Sequence, residues 1–278
     1  MMNLVICMTC RNVGVHLPYI FANLERLVGY KLHYIFVYDN CIDNTEILLN
    51  EFKAKHDNVY ISHLKNNNSK LRTVRIANAR NECLRILEKI DTDFHIFLDP
   101  DDRNIKKWNT NVIDEYIKGR NDWDCISFNV KPYYDTWALQ TKEFMWHSWG
   151  WGDHSSNVNE ILRKYTENKL LDTNDDIEVI SAFCGFAIYR TKKFNGLEYI
   201  GNLHEFPKKF FKKEEINKSI SFINKFIPAK INKDLMSDKN YFRGWEVILP
   251  GEICEHIYYH TQAHRNGNKI KISKKELV

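Results

Sequence analysis

In the first hundred residues, short apolar runs alternate with segments whose apolar residues recur at helical spacing. That alternation constrains the fold more than any other feature. Leu4–Met8, Tyr34–Tyr38, Val59–Leu64 and Phe94–Leu98 are dense in β-branched and aromatic residues and read as strands. Between the first two, Leu17, Ile20, Phe21, Leu24 and Leu27 share one helical face, with Pro18 admissible in a first turn. Asn44–Lys55, with Asp43 as a candidate N-cap, reads as a second helix. Thr73–Ile90 reads as a third, with Ile76, Ala79, Cys83, Ile86 and Leu87 turned to the core. Strand and helix in succession predict an α/β fold, a mostly parallel central sheet with helices on both faces. Ligands of such sheets sit at the carboxyl ends of strands. Arg11, Asp39 and Asp99–Asp102 all fall at such ends.

The second half is patterned differently. Cys125–Val130 reads as a strand, Tyr133–Leu139 as another and Glu252–His260 as the last. The segment 144–154 concentrates Trp, Gly and His, and a polar helix is expected over Asn157–Asn168. Residues 203–243, rich in Lys, Asn and Ile, read as a peripheral helical insertion. Without repeats or a clear linker, residues 1–278 are expected to form one domain.

Composition narrows the function classes. Forty basic residues against 36 acidic give a formal net charge of +4 with no dominant basic stripe, so nucleic acid is not the expected partner. The basic excess is local, at 208–233 and at Lys269–Lys275, where a peripheral membrane contact is an open reading. No segment is long and apolar enough to span a bilayer, and the start does not resemble a signal peptide. Seven scattered cysteines read as reduced thiols, and a cytoplasmic location is expected. Cys7 and Cys10 make a lone CxxC on a strand, without the second ligand pair of a zinc site. The Asn, Lys and Ile content suggests an AT-rich genome, viral or bacterial.

Chemistry concentrates at Asp99-Pro100-Asp101-Asp102. Three carboxylates at the end of an apolar strand repel one another and call for a counter-charge. A hard divalent cation, Mg²⁺ or Mn²⁺, supplies one and keeps positions open for phosphate oxygens. The plainer alternative is an acidic turn capping a helix near Ile105–Ile117. A phosphatase with an Asp nucleophile normally carries Thr or Val where Arg103 stands. Asp39 can accept hydrogen bonds from a uracil or guanine ring or a ribose; an Asx turn is the alternative. Arg80 can bind a diphosphate or brace Asp99. His256 and His260 would share a strand face and could bring one imidazole to the metal. Taken singly, each reads rather as a structural histidine.

In this order, Thr9-Cys10-Arg11-Asn12, Asp39 with Asp43 and Thr45, Ala79-Arg80-Asn81 and Asp99-Pro100-Asp101 resemble the nucleotide-sugar glycosyltransferases of the GT-A fold with a family-2-like core. Arg75-Ile76-Ala77 and Tyr134–Leu139 are similar to fungal capsule-associated α-1,3-mannosyltransferases and related viral and bacterial glycosyltransferases; Ala182–Arg190 is similar to their acceptor-side segment. The resemblance implies a UDP- or GDP-sugar donor, a Mn²⁺ or Mg²⁺ cofactor and a glycan or glycoprotein acceptor. It implies that Thr9, Arg11 and Asp39 line the nucleoside pocket and that Arg80 supports the diphosphate side. Asp99 would approach the ribose or the metal, and Asp101 would be the main metal ligand, helped by His256 or His260. Tyr134, Asp135, Trp137 and Gly185 would border the sugar and acceptor. No Glu-Asp pair follows Gly185, so Asp153 and Glu205 are the candidate general bases. The rival readings are a catalytically degenerate glycan- or nucleotide-binding protein of the same fold, and a sugar-1-phosphate nucleotidyltransferase. The latter would need a Gly-rich loop that Arg11–Gly14 does not provide.

Overall fold

The computed structural model describes residues 1–227, 241–243, 246–249 and 251–278, except the side chains of Asp153 and of 241–243 and 246–248. The first elements are β1 (Met2–Cys10), α1 (Leu17–Leu24), β2 (Tyr30–Tyr38), α2 (Thr45–Lys55), β3 (Val59–His63), α3 (Arg72–Leu87) and β4 (Phe94–Leu98). They are followed by α4 (Thr110–Asp114), which runs into one wider turn at Glu115–Gly119, and by β5 (Cys125–Asn129) and α5 (Ser155–Asp172). The chain continues through β6 (Ile177–Val179), β7 (Phe186–Arg190), α6 (Lys213–Ile223), β8 (Tyr241–Arg243), β9 (Glu246–Ile248), α7 (Glu255–Arg265) and β10 (Ile270–Glu276).

Eight strands form one sheet in the order β3-β2-β1-β4-β7-β5-β10-β6, and β8 pairs separately with β9. The pairs β1–β2, β1–β4, β2–β3 and β5–β10 are parallel. β7 runs antiparallel to both β4 and β5, and β6 antiparallel to β10. β1 shows why the strand runs are apolar throughout. Leu4, Ile6 and Met8 face one layer with Leu17, Ile20 and Leu24 of α1, while Val5 and Cys7 face Ala79, Cys83 and Leu87 of α3. A strand covered on both sides cannot alternate polar and apolar residues without burying the polar set.

The four N-terminal strands and their helices lie where the sequence reading puts them, and α5 matches the expected polar helix. Three expectations are corrected. Tyr133–Leu139 is a loop, not a strand; Asp135 holds it by accepting the backbone N–H of Ala138 at 3.3 Å and of Cys184 at 2.8 Å. Glu252–His260 is not a strand either: from Glu255 it forms α7, in which eight side chains are buried, among them His256, Tyr258, Tyr259 and His260. β-Branched and aromatic residues here satisfy packing on nearly all sides of a helix rather than a pleated ladder. The basic segment Lys269–Lys275 is no free tail, since β10 inserts between β5 and β6. Its Lys271 and Lys275 pair with Asp122 and Glu115.

In the stretch expected as an insertion, Phe206 and Phe210 pack with Ile253, Ile257 and Tyr258. The Ser219 hydroxyl of α6 accepts the N–H groups of Met145 and Trp146 at 2.9 and 3.0 Å. This part of the stretch is thus tied to the body of the protein. Residues 228–240 lie outside the described residues.

Candidate active site

The carboxyl ends of β1, β2 and β4 meet the first turns of α3 around a cleft of about 420 Å³. Its lining includes Thr9, Arg11, Asp39, Arg75, Asp99 and Asp101, so five of the residues singled out in sequence converge here and Arg75 joins them. Arg72 lines it too. Arg72 and Arg75 belong to the first turns of α3, and their charges add to the positive end of the helix dipole at the cleft, which favours an anion. That terminus is anchored by Glu252, which accepts the Arg72 N–H at 2.7 Å. The Thr73 hydroxyl donates to the Gly201 carbonyl at 2.5 Å. A Cβ on Gly201 would lie 2.2 Å from the Thr73 carbonyl carbon, so only glycine admits this approach.

The acidic turn is clamped from beneath. Asp99 donates its N–H to the Gly185 carbonyl at 2.8 Å, joining the end of β4 to the turn before β7. The Asn104 amide donates to the carbonyls of Asp99 and Gly185 at 2.8 and 3.0 Å. The Arg103 N–H donates to Asp101 Oδ1 at 3.0 Å. Arg80, 2 % exposed, donates through Nη2 to Asp99 Oδ1 at 2.8 Å and through Nε to Glu255 Oε1 at 2.9 Å. Burial opposes its charge, but the two carboxylates outweigh that and keep the guanidinium protonated. Of the two roles open to Arg80 in the sequence, bracing Asp99 is the one its contacts describe. Glu255, 175 residues away and read in sequence only as part of a last strand, is its second partner.

Asp101 has no cationic partner of that quality. Burial, then the charges of Asp99 and Asp102, push its carboxyl up to about 7. A carboxylate held under such repulsion is suited to a cation from outside the chain. Among the described residues, no three His, Cys, Asp or Glu side chains converge as a metal cage. At this turn Asp99 and Asp101 would offer an ion two carboxylates, with its remaining positions open. That fits Mg²⁺ or Mn²⁺ held jointly with phosphate and water, and does not fit a closed structural site.

The histidines lie elsewhere. His256 stacks on Phe183 with centroids 3.9 Å apart, and its Nε2 is 3.6 Å from Glu255 Oε1. Glu255 and Arg80 thus stand between it and Asp99. His260 has its ring nitrogens 3.2 Å from the Ser181 hydroxyl and 3.1 Å from the Tyr189 hydroxyl. Burial holds His256 well below the ordinary histidine range and His260 down to about 3, so both are neutral.

On the far side of the acidic turn, Cys184 and Gly185 adopt φ of +55° and +77°. A Cβ on Gly185 would meet the Tyr134 hydroxyl at 2.7 Å. The Arg103 guanidinium covers the Tyr134 ring at 4.5 Å. Burial raises the Asp135 carboxyl to about 6, against its two backbone N–H bonds. Trp137 packs edge-on against Trp149 with centroids 4.4 Å apart. Glu205 is exposed in a short turn and accepts the Asn202 amide at 3.0 Å. Asp153 lies in the turn Gly152–His154, its side chain outside the described residues.

A parallel β3-β2-β1-β4 half-sheet, an antiparallel β7 beside β4 and an acidic turn at the end of β4 define an α/β architecture of the GT-A glycosyltransferase type. Comparison with solved structures agrees. The S. aureus TarS 1–349 structure in complex with UDP-GlcNAc matches 99% of this chain and 57% of its own at 13% identity and TM-score 0.52. Mannosyltransferase PcManGT from Pyrobaculum calidifontis, in complex with GDP-Man and Mn²⁺, superposes more loosely: 71% of this chain, 47% of its own, 13% identity, TM-score 0.42. At 13% identity the likeness to the TarS structure with UDP-GlcNAc establishes the fold alone. The chain spans little more than half the length of the TarS 1–349 structures, 55–57%. No protein-family profile and no curated protein sequence matches it.

Proposed function

We propose that the chain is a hexosyltransferase. It would move a sugar from a UDP- or GDP-sugar to a hydroxyl of a glycan or glycoprotein acceptor, with Mn²⁺ or Mg²⁺ as cofactor. The observation that carries this reading is Asp101: a repelled, half-open carboxylate at a strand end, in one cleft with Arg11, Arg72 and Arg75. Carboxylates and guanidiniums lining one cleft suit a metal-bound diphosphate better than any neutral ligand. A TarS structure of the same fold holding UDP-GlcNAc supports the donor class.

Thr9, Arg11 and Asp39 line the nucleoside end and hold the donor. Asp99 and Asp101 would hold the ion, which when bound supplies a Lewis acid that stabilises the departing diphosphate. Arg80 neutralises Asp99 and fixes the turn, leaving Asp101 as the stronger donor to the ion. Tyr134, Asp135, Trp137 and Gly185 border the sugar and acceptor. Asp153 and Glu205 are the candidate bases for the acceptor proton. The closeness to capsule-associated α-1,3-mannosyltransferases and the organisation of residues 1–278 as one domain belong to the same proposal.

Asp101→Asn should lower sugar transfer from the preferred donor at least about a hundredfold while the circular dichroism spectrum is unchanged. Activity within about threefold of the parent would remove the metal role from Asp101.

A further inference from the structure

Asn78, Asn81, Glu82 and Arg85 follow one another at helical spacing and give α3 a polar stripe. Between that stripe and the end of β3 lies a second depression of about 540 Å³, larger than the cleft. Asn67 is the partition between the two. It donates to Asp39 Oδ2 at 2.6 Å and to the Arg75 carbonyl at 2.8 Å on the cleft side, and accepts the Asn78 amide at 3.0 Å on the groove side. Asn81 is locked as well, donating to the Tyr199 carbonyl at 2.9 Å and accepting the Tyr199 N–H at 2.8 Å. Uncommitted polar groups stand against this rigid wall. Among the described residues, the Asn66 side chain makes no hydrogen bond, Asn78 uses only its nitrogen, and Lys65 has no ion pair. Arg85 grips Glu82 through Nε and Nη2 at 2.7 and 2.6 Å, which leaves Nη1 over.

His63, at the end of β3, also lines the groove. It is exposed and lies flat on Tyr38, with centroids 4.4 Å apart and planes 15° apart, so one ring face is covered and the other open. Leu64 is the only apolar residue of the lining, so an apolar ligand finds little to cover it. A phosphate would set its oxygens against the Glu82 carboxylate and the uncommitted amide oxygens, acceptor against acceptor. A saccharide meets both demands. Each hydroxyl donates and accepts, as an amide group does, and the C–H face of the ring can lie on an aromatic plane. We infer that the groove between β3 and α3 is a saccharide-binding site separate from the donor cleft, and that it holds a length of the acceptor glycan away from the reacting hydroxyl. Its use as a hold for the acceptor rests on the transferase reading, whereas the binding of a saccharide does not. In the sheet, β3 stands three strand spacings from β4, about 14 Å, so a sugar in the groove leaves the acidic turn clear. Tethering the glycan there raises the local concentration of its reacting end.

The test is nuclear magnetic resonance of the isotope-labelled full chain, in which the side-chain amides of Asn66 and Asn78 report on the groove directly. The probes are maltohexaose, chitohexaose and an α-linked mannohexaose, each added with and without saturating UDP and Mn²⁺. At least one should shift the Asn66 and Asn78 signals with a Kd of about 1 mM or tighter, unchanged by UDP and Mn²⁺. Asn66→Ala, at an exposed position outside the donor cleft, should weaken that binding at least about threefold, and His63→Ala at least about fivefold. No shift with any of the three, or shifts that UDP and Mn²⁺ abolish, overturns the separate site. Full affinity in folded Asn66→Ala and His63→Ala chains overturns the groove as the place of binding. Groove shifts in a chain that binds no nucleotide uphold the saccharide site and defeat only the transferase reading.

Discussion

The parallel half of the sheet, β3-β2-β1-β4, and the α7 layer behind it treat ionisable groups in opposite ways. At the strand ends, carboxylates and arginines stay partly open to the cleft, and Asp101 keeps an uncompensated charge. Around α7, His256, His260 and Glu255 are sealed in, neutral or paired within the chain. Desolvation acts on both regions, raising the acid and lowering the imidazoles. The difference is access. A buried group with its partner already in the chain builds the frame, whereas one left repelled beside a cleft can take a ligand. Arg80 is the joint between the regions, gripping Asp99 on one side and Glu255 on the other.

Breaking that joint should have the largest effect on stability. Arg80→Met leaves Glu255 buried without a counter-charge and should cost about 3–5 kcal/mol in urea unfolding. A loss below about 1 kcal/mol would mean that the two regions stand independently.

The regions should also separate by pH. The folded pKa of His260 lies at about 3, below its ordinary 6.5, so the unfolded chain binds more protons between these values and stability falls as pH drops through that window. The cost should reach about 2 kcal/mol for a fully buried histidine by pH 5. His260→Gln should flatten the acid limb of melting temperature against pH; an unchanged limb would place the acid sensitivity elsewhere.

Asp101 has the reverse sign. Its folded pKa of about 7 exceeds the ordinary 3.8, so ionisation destabilises the fold progressively as pH rises from about 4 to 7, and fully above. Without metal at pH 8, Asp101→Asn should melt about 2–4 °C above the parent, although it is expected to be inactive. A lower melting point would show that Asp101 serves the fold rather than a ligand.

The smallest effect is expected at the cleft's far edge. Gly185→Ala forces a side chain into φ +77° and against the Tyr134 hydroxyl, and should cost about 1–2 kcal/mol in urea unfolding. A neutral substitution would show that this turn relaxes freely.

The cleft side was the readable side. Arg11, Asp39, Asp99 and Asp101 stand at the ends of apolar runs, and strand ends in such a sheet are where ligands sit, so their meeting followed from pattern, whereas Thr9 was named by the resemblance. Asn67 carried no such signal, being one of three consecutive asparagines in a polar loop. Arg75 was legible only within Arg75-Ile76-Ala77, a stretch named for its resemblance.

By itself the sequence determined the strand–helix alternation, the mostly parallel character of the sheet and the acidic turn at the end of β4. These are local: a continuous apolar run, a helical period and a cluster of like charges each carry their own physical consequence within about fifteen residues. Tertiary structure alone decided that Ile257-Tyr258-Tyr259 lie in a helix, that β10 inserts its lysines beside β5, and that Arg80 meets Glu255 across 175 residues. Burial on nearly every side of α7 overrides strand propensity and erases the amphipathic period. The pairing of two distant charges is set by where the layers pack, which no stretch of local sequence encodes.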